Sequence, residues 1–218
     1  MVDFLSKGSI WRKWDLQIHV PGAKYADQYK AENGIDVWDK FIEYIKNSDV
    51  AVFGITDYFS VAGYETFRDK IKNIAELKNK QFFPCIELRL DISVNRDSEQ
   101  LQCHLIFDKD YDINKIKDFL AHLPLKNKKT NGAIAYCTDS DIASCGGYDS
   151  VSITKEKLEE SLKNSFGNDR PFLIAGIASG MGSNRANANA NIKKELSDIF
   201  DDFCDLFFGH EDNKEYFF

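Results

Sequence analysis

Polar residues of the kind that bind metals or move protons fall on four apolar segments of the chain. In WDLQIHV, Asp15, Gln17 and His19 stand at i, i+2 and i+4. That spacing sends side chains to one face of a β-strand, with Leu16, Ile18 and Val20 on the other. Strands of a βα protein are covered on both faces, so three inward polar groups cost several kcal/mol unless they bind a metal, a ligand or one another. The alternative is an edge strand whose polar face meets water. In VAVFGITDY, Asp57 follows an apolar run, at the carboxyl end where parallel sheets build their sites. An Asp there binds a metal or caps the following turn. In FFPCIELRLDI, Glu87 and Arg89 share a face and can simply pair, while LQCHLIFD sets Gln102 and His104 against Cys103 and Leu105. A lone His in such a strand is often a hydrogen-bonded core residue. Together, however, His19, Asp57, Glu87 and His104 offer imidazole and carboxylate from four successive strands, a donor set suited to Zn, Mn or Fe.

The elements that must position these residues follow from an alternation of β-branched and aromatic runs with amphipathic, charge-rich stretches, the pattern of βα units. Strands are expected near 14–20, 50–57, 82–90, 101–108, 171–178 and 204–208, with a weaker one near 133–137. Helices are expected over 36–47, 63–79, 112–122, 154–166 and 191–202, the fourth with Thr154 as N-cap and Glu156 in its first turn. No repeat and no Pro- or Ser-rich linker divides the chain, so residues 1–218 read as a single α/β domain. The turn-rich segment Lys126 to Ser150, KNKKTNGAIAYCTDSDIASCGGYDS, reads as an excursion, a surface loop with one short strand.

Composition narrows the class. A hydrophobic fraction of 43% with 17 Phe excludes a disordered chain. No apolar run approaches the roughly 18 residues of a membrane span, and MVDFLSKGSIWRKW lacks the apolar stretch of a secretory signal, so a cytoplasmic protein is expected. A net charge of −7 opposes a broad nucleic-acid-coating surface and leaves room only for a local basic cleft. Five Cys without a CxxC pair encode neither a disulfide framework nor a zinc ribbon, and Cys85 and Cys103 read as reduced core residues. In GIASGMGSNRANANANIKKEL, Gly180 and Gly182 follow an apolar strand, but the Lys of a Walker A loop is missing. The segment is either an anion-binding rim built from backbone N–H groups and Arg185, or a plain Gly/Asn loop. His122 closes a helix, where a dipole contact is the usual reason, and His210 lies in a polar turn. Trp11 and Trp14 either stack bases or pack as an N-terminal staple, and KNKKT is a solvated run or a phosphate-backbone contact.

Four of these motifs resemble the PHP (polymerase and histidinol phosphatase) domains. WDLQIHVP is similar to that family's opening DLHxHT strand, ITDYFSVAGY to its ITDHxxxxG segment, PCIELRL to its strand with a metal-binding Glu, and QCHLIFD to a later His-bearing strand. More narrowly, GSIWRKWDLQIHVP and the terminal FFGHEDNKEYFF resemble the N-terminal portion of TrlF-like proteins, in which a PHP-like domain precedes an AAA- or SMC-like ATPase. The resemblance implies a distorted (β/α)7 barrel with a multinuclear metal centre for phosphoester hydrolysis. His19 would match the second His of the opening motif, Asp57 the Asp of the second, Glu87 a bridging carboxylate and His104 a further ligand.

The departures matter as much. Gln17 stands where the first His belongs, Tyr58 where a His follows the Asp, and IASGM around Ser179 where another His is expected. The final DxH motif is absent, so the barrel is expected to be incomplete. One divalent ion at most, Zn or Mn, is therefore expected. Two functions follow from the resemblance. One is a metal-dependent phosphoesterase acting on a phosphate ester or nucleic acid end, with Arg89 or Arg185 holding phosphate. The other is a catalytically weak or inactive regulatory module attached to an AAA/SMC-type ATPase, in C-terminal fusion or as a separate chain, with a role in phage defence. The unclosed barrel and the terminal Tyr216, Phe217 and Phe218 lead us to expect self-association or dependence on a partner.

Overall fold

The computed structural model describes residues 12–25, 27–30, 34–93, 100–177 and 201–208. Arg185, Ser179, the Gly180–Gly182 segment, Trp11, His210, the terminal aromatics and most of the expected helix 191–202 lie outside them.

Five α-helices and eight strands are formed by the described residues. In order they are β1 (Lys13–His19), α1 (Val37–Asn47), β2 (Val50–Tyr58), α2 (Ala62–Ile71), β3 (Gln81–Ser93) and β4 (Gln100–Phe107). There follow α3 (Ile113–His122), β5 (Pro124–Lys128), β6 (Ile134–Tyr136), α4 (Asp139–Ser144), α5 (Lys155–Phe166), β7 (Phe172–Ile177) and β8 (Leu206–Phe208). The starts of α1, α3 and α5 are set by side-chain caps. Asp36 accepts from the Trp38 N–H, Asp112 from the Asn114 N–H, and Thr154 from the Lys157 N–H. The expected helix 63–79 ends early, at Ile71, and the chain continues through a 3₁₀ turn at Ala75–Leu77.

Six strands make one curled sheet in the order β1-β2-β3-β4-β7-β8. The expected α/β class holds, but the sheet is mixed. β1, β2 and β3 run parallel, whereas β4 is antiparallel to both β3 and β7. The cause lies in the connections: only the six residues 94–99 separate β3 from β4, and a parallel crossover needs about a dozen or more. β1 and β8 form the two ends of the sheet among the described residues.

The five described helices pack on one face. Phe53, Ile55, Ile86, Leu88, Leu105 and Phe107 from the strands meet Phe41, Phe67, Ile116, Phe119, Leu158 and Phe166 from the helices in the main core. On the opposite face a smaller cluster forms from Cys85, Ile106 and Ala175, with Leu16, Phe83, Leu206 and Phe208 against it.

The first strand departs from strict alternation. Asp15 pairs with Phe53 but Ile18 pairs with Ile55, so a bulge adds one residue between them. Asp15, Gln17 and His19 therefore do not share a face, contrary to the expectation from their spacing. Leu16 joins the smaller cluster, Ile18 and Val20 enter the helix-side core, and Gln17 is exposed. Gly54 makes the bulge feasible: a Cβ there would stand 2.7 Å from the Leu16 carbonyl carbon and 2.8 Å from its Cα.

The Lys126–Ser150 excursion is more than a surface loop. β5 and β6 form a hairpin, α4 follows, and Ala135, Cys137, Ile142, Val151 and Ile153 are buried in the main core. The apolar residues are sparse in sequence, which hid their common destination. No described helix is long and apolar enough to cross a membrane.

Gly54→Ala is expected to destabilise the protein by roughly 1–3 kcal/mol, since the clash is with backbone and cannot be relieved by a rotamer change. A urea denaturation midpoint measures it, and an unchanged midpoint would show that the bulge does not depend on this contact. Burial pushes the Cys85 thiol up to about 12 and also raises Cys103 and Cys137. A disulfide-exchange reagent should accordingly label the half-buried Cys145 and Cys204 in the native protein and all five thiols only after denaturation.

Candidate functional site

The sheet face opposite the helices carries a buried carboxylate between two imidazoles. Strand register brings them together: His19 lies beside Thr56, Tyr58 beside Glu87, and Glu87 directly opposite His104. Nε2 of His19 stands 3.2 Å, and Nε2 of His104 3.4 Å, from the same Glu87 Oε2. The His19 side chain is 25% exposed, that of Glu87 1% and that of His104 0%. Access to the group is therefore from the β1 side.

These contacts are close, yet they lack hydrogen-bond alignment. Among the described residues, both Glu87 oxygens, both His104 nitrogens and His19 Nδ1 are buried without an aligned hydrogen-bond partner. Such groups are rare in folded proteins and are ordinarily met by water, a ligand or an ion. Ligands held at about 2.1 Å around a tetrahedral ion stand about 3.4 Å from one another. The two nitrogen–oxygen distances are of that size, and two His with one carboxylate form a recognised donor set. Among the described residues, however, no group of three or more His, Cys, Asp and Glu has the layout of a metal site. What stands there is a compact triad of two imidazole nitrogens beside one carboxylate oxygen.

Asp57 lies elsewhere. It follows Thr56 on β2 and pairs with Ile86, which places it on the helix side. Its Oδ1 accepts from the N–H groups of Lys24 (2.8 Å) and Tyr58 (2.9 Å), and its Oδ2 from Gly63 (3.3 Å). Asp57 thus anchors the loop after β1 and the start of α2. Gly63 must lack a side chain, since a Cβ would come within 2.6 Å of Val20 Cγ2. Burial raises the Asp57 carboxyl, and the three N–H groups and the nearby Lys24 oppose that rise. Between Asp57 and α2, Phe59 turns the chain at a φ of 50°. Such strain costs about 1–3 kcal/mol in a bulky residue. It is held by burial and by a Phe59 N–H bond to the Glu87 carbonyl of 3.0 Å.

Arg89 is on the triad's strand and nearly buried. Its Nη1 donates to the carbonyls of Tyr148 (3.2 Å), Asp149 (2.8 Å) and Val151 (3.2 Å), clamping the end of the excursion to β3. The guanidinium also lies 5.8 Å from the Tyr25 ring centre. The expected Glu87–Arg89 pair is replaced by Glu87 among imidazoles and Arg89 among carbonyls. Arg185, the other candidate for holding phosphate, lies outside the described residues.

Two aromatic residues in the site escaped the sequence reading. Tyr58 stacks on His19, with ring centres 4.9 Å apart and planes 12° from parallel, and Phe208 meets His104 edge-on at 5.1 Å. Tyr58 was legible only as a missing His; its stacking depends on the β1 bulge, which has no signal in the strand's own polar pattern. His122, at the end of α3, bonds through Nδ1 to the Asp118 carbonyl at 2.7 Å, in keeping with a helix-end role. A cavity of about 730 Å3, an open hollow over α1 near Asp39 and Tyr44, is not part of the triad.

Burial by itself would raise the Glu87 carboxyl, but the adjacent His104 and His19 outweigh it and hold it at about 2. The folded value lies below the unfolded value of about 4.3. The ionised carboxylate therefore contributes stability that is complete above about pH 4.3 and lost as pH falls through about 2. In a chelator-containing buffer, Glu87→Gln should flatten the acid limb of stability between those values, and urea midpoints across it check this. A mutant limb as steep as the wild-type one would assign the acid sensitivity to other carboxylates.

The functional reading rests on this geometry, because no protein-family model and no curated protein matches the chain.

Proposed function

We propose that His19, Glu87 and His104 hold one divalent transition ion, Zn or Mn, and that the domain is a PHP-like, metal-dependent hydrolase of phosphate esters or nucleic acid ends. One observation carries the reading: two imidazole nitrogens converge on one buried carboxylate oxygen, and among the described residues the buried polar atoms of this group lack an aligned hydrogen-bond partner. Asp57 is left out of the donor set, since backbone N–H groups occupy both its oxygens.

Such an ion supplies Lewis acidity, acidifying water and polarising a phosphoryl oxygen. The protein's own part is more specific. Glu87 is ionised at neutral pH and provides negative charge where a cation sits. The low exposure of Glu87 and His104 keeps bulk water away and strengthens that charge. Burial, then the Glu87 carboxylate, pushes the Tyr58 phenol above its ordinary value, so it keeps its proton at neutral pH and stays a donor beside the site. Arg89 is committed to carbonyls, so phosphate in this reading is held by the ion, with Arg185 as a second candidate.

A second reading is favoured by that same commitment of Asp57 and Arg89 to backbone groups. The domain would then be a PHP-like binding or regulatory module, catalytically weak or inactive, working with an AAA/SMC-type ATPase, and phage defence is one setting for such a pair. Elemental analysis and hydrolysis of p-nitrophenyl phosphate and bis(p-nitrophenyl) phosphate separate the two readings. The hydrolase reading expects at most one Zn or Mn per chain and slow turnover abolished by chelation and by His19→Ala. An ion bound with no turnover of either ester supports the module. Two or three ions per chain would overturn the single-ion site in both.

A further inference from the structure

Metal-binding imidazoles are ordinarily oriented through their second ring nitrogen, which donates to a carboxylate, a carbonyl or water. Among the described residues the triad has no such support. Nδ1 of His19 and Nδ1 of His104 are both buried with no hydrogen-bond partner. Something else must keep the two Nε2 atoms at 3.2 and 3.4 Å from Glu87.

Each ring instead has an aromatic neighbour. His19 lies flat on Tyr58, and Tyr58 is itself braced edge-on by Tyr25 at 5.1 Å, with planes at 88°. Arg89 lies over the Tyr25 ring and is fixed by three carbonyls, so the stack is anchored at its far end. The backbone of His19 is held separately, its carbonyl accepting from the Tyr29 hydroxyl at 2.9 Å. His104 packs edge-on against Phe208 of β8, the strand at one end of the sheet.

We propose that Tyr58 and Phe208 are positioning residues, which orient the two imidazoles for an ion by ring packing instead of by hydrogen bonds. This inference rests on the reading of the triad as an ion site. The physical reason is restriction of χ2. A stacked ring cannot rotate without losing its contact, and aromatic pairs contribute about 0.5–1.5 kcal/mol beyond the area they bury. A hydrogen bond to Nδ1 would select one tautomer, whereas a stacked face leaves the tautomer open until an ion takes Nε2. The inference also gives Tyr58 a purpose as an aromatic support, which its chemistry suits better than ligation of Zn.

The test uses the full chain with Zn(II) in competition titrations and Co(II) as a spectroscopic probe, on the wild type, Tyr58→Phe, Tyr58→Leu and Phe208→Leu. Tyr58→Phe keeps the stack and is expected to bind within about threefold of wild type. Tyr58→Leu and Phe208→Leu should bind about tenfold or more weakly, the size of effect usual for lost ligand support, with altered Co(II) visible bands. Ring 15N NMR of the metal-free wild type provides a check independent of variant folding. It should show no slowly exchanging, hydrogen-bonded Nδ1 proton on either His. Such a proton, or unchanged affinity in Tyr58→Leu and Phe208→Leu, overturns the inference while leaving the ion site intact. A loss in Tyr58→Phe as large as in Tyr58→Leu overturns it by placing the effect on the hydroxyl. Wild-type protein that takes up neither Zn(II) nor Co(II) overturns the ion-site reading and this inference with it.

Discussion

A carboxylate buried in the middle of a sheet dictates much of this structure. Removing an ion from water is expensive, and Glu87 is almost wholly enclosed, so the two imidazoles beside it matter to its charge. That requirement reaches three strands. β3 must present Glu87 away from the helices, β4 must pair in the register that sets His104 opposite it, and β1 must deliver His19 from the other side. A slip of one residue in any of them would exchange the polar group for its apolar neighbour and leave the charge unsupported.

The two faces of the sheet divide the work. On the helix side, a large aromatic and aliphatic core supplies the cohesion expected for a domain of this size. On the other, a smaller apolar cluster of Cys85, Ile106, Ala175 and their neighbours adjoins the triad. Polar residues that could have joined the site are employed to hold loops. Asp57 gathers three backbone N–H groups around the strained turn at Phe59, and Arg89 gathers three carbonyls from the end of the excursion. Both carry loops to the rim of the triad, because the stack from Arg89 through Tyr25 and Tyr58 ends on His19. The clamp and the candidate ion site are thus mechanically continuous.

The excursion illustrates the same economy. Tyr148 donates to Asp139 Oδ1 at 2.5 Å, and Lys24 pairs with Asp139 Oδ2 at 2.6 Å. Lys24 is also the residue whose backbone N–H meets Asp57. A segment rich in turn formers is therefore tied at several points to the loop after β1, and its few apolar residues complete the main core.

Much of this was legible in the sequence, and the limit has a physical cause. Strand and helix periods are local, so the alternation in FFPCIELRLDI and LQCHLIFD was enough to set Glu87 and His104 on sheet faces, and Thr154 marked a helix start within one turn. The repeating βα pattern argued for parallel pairing throughout, whereas β4 pairs antiparallel with β3. The faces of WDLQIHV were misassigned because a bulge is a relation between two strands: it exists where β1 passes over Gly54, some forty positions away. Whether Asp57 caps or ligates depended on which N–H groups the fold brought within reach, and the sequence left both open. The triad itself needed register across three strands, and the stacking of Tyr58 on His19 needed the bulge as well. Residue type and period by themselves determined the donors and most of the elements; only tertiary structure decided which donors meet, because that is set by pairing between segments that share no local pattern.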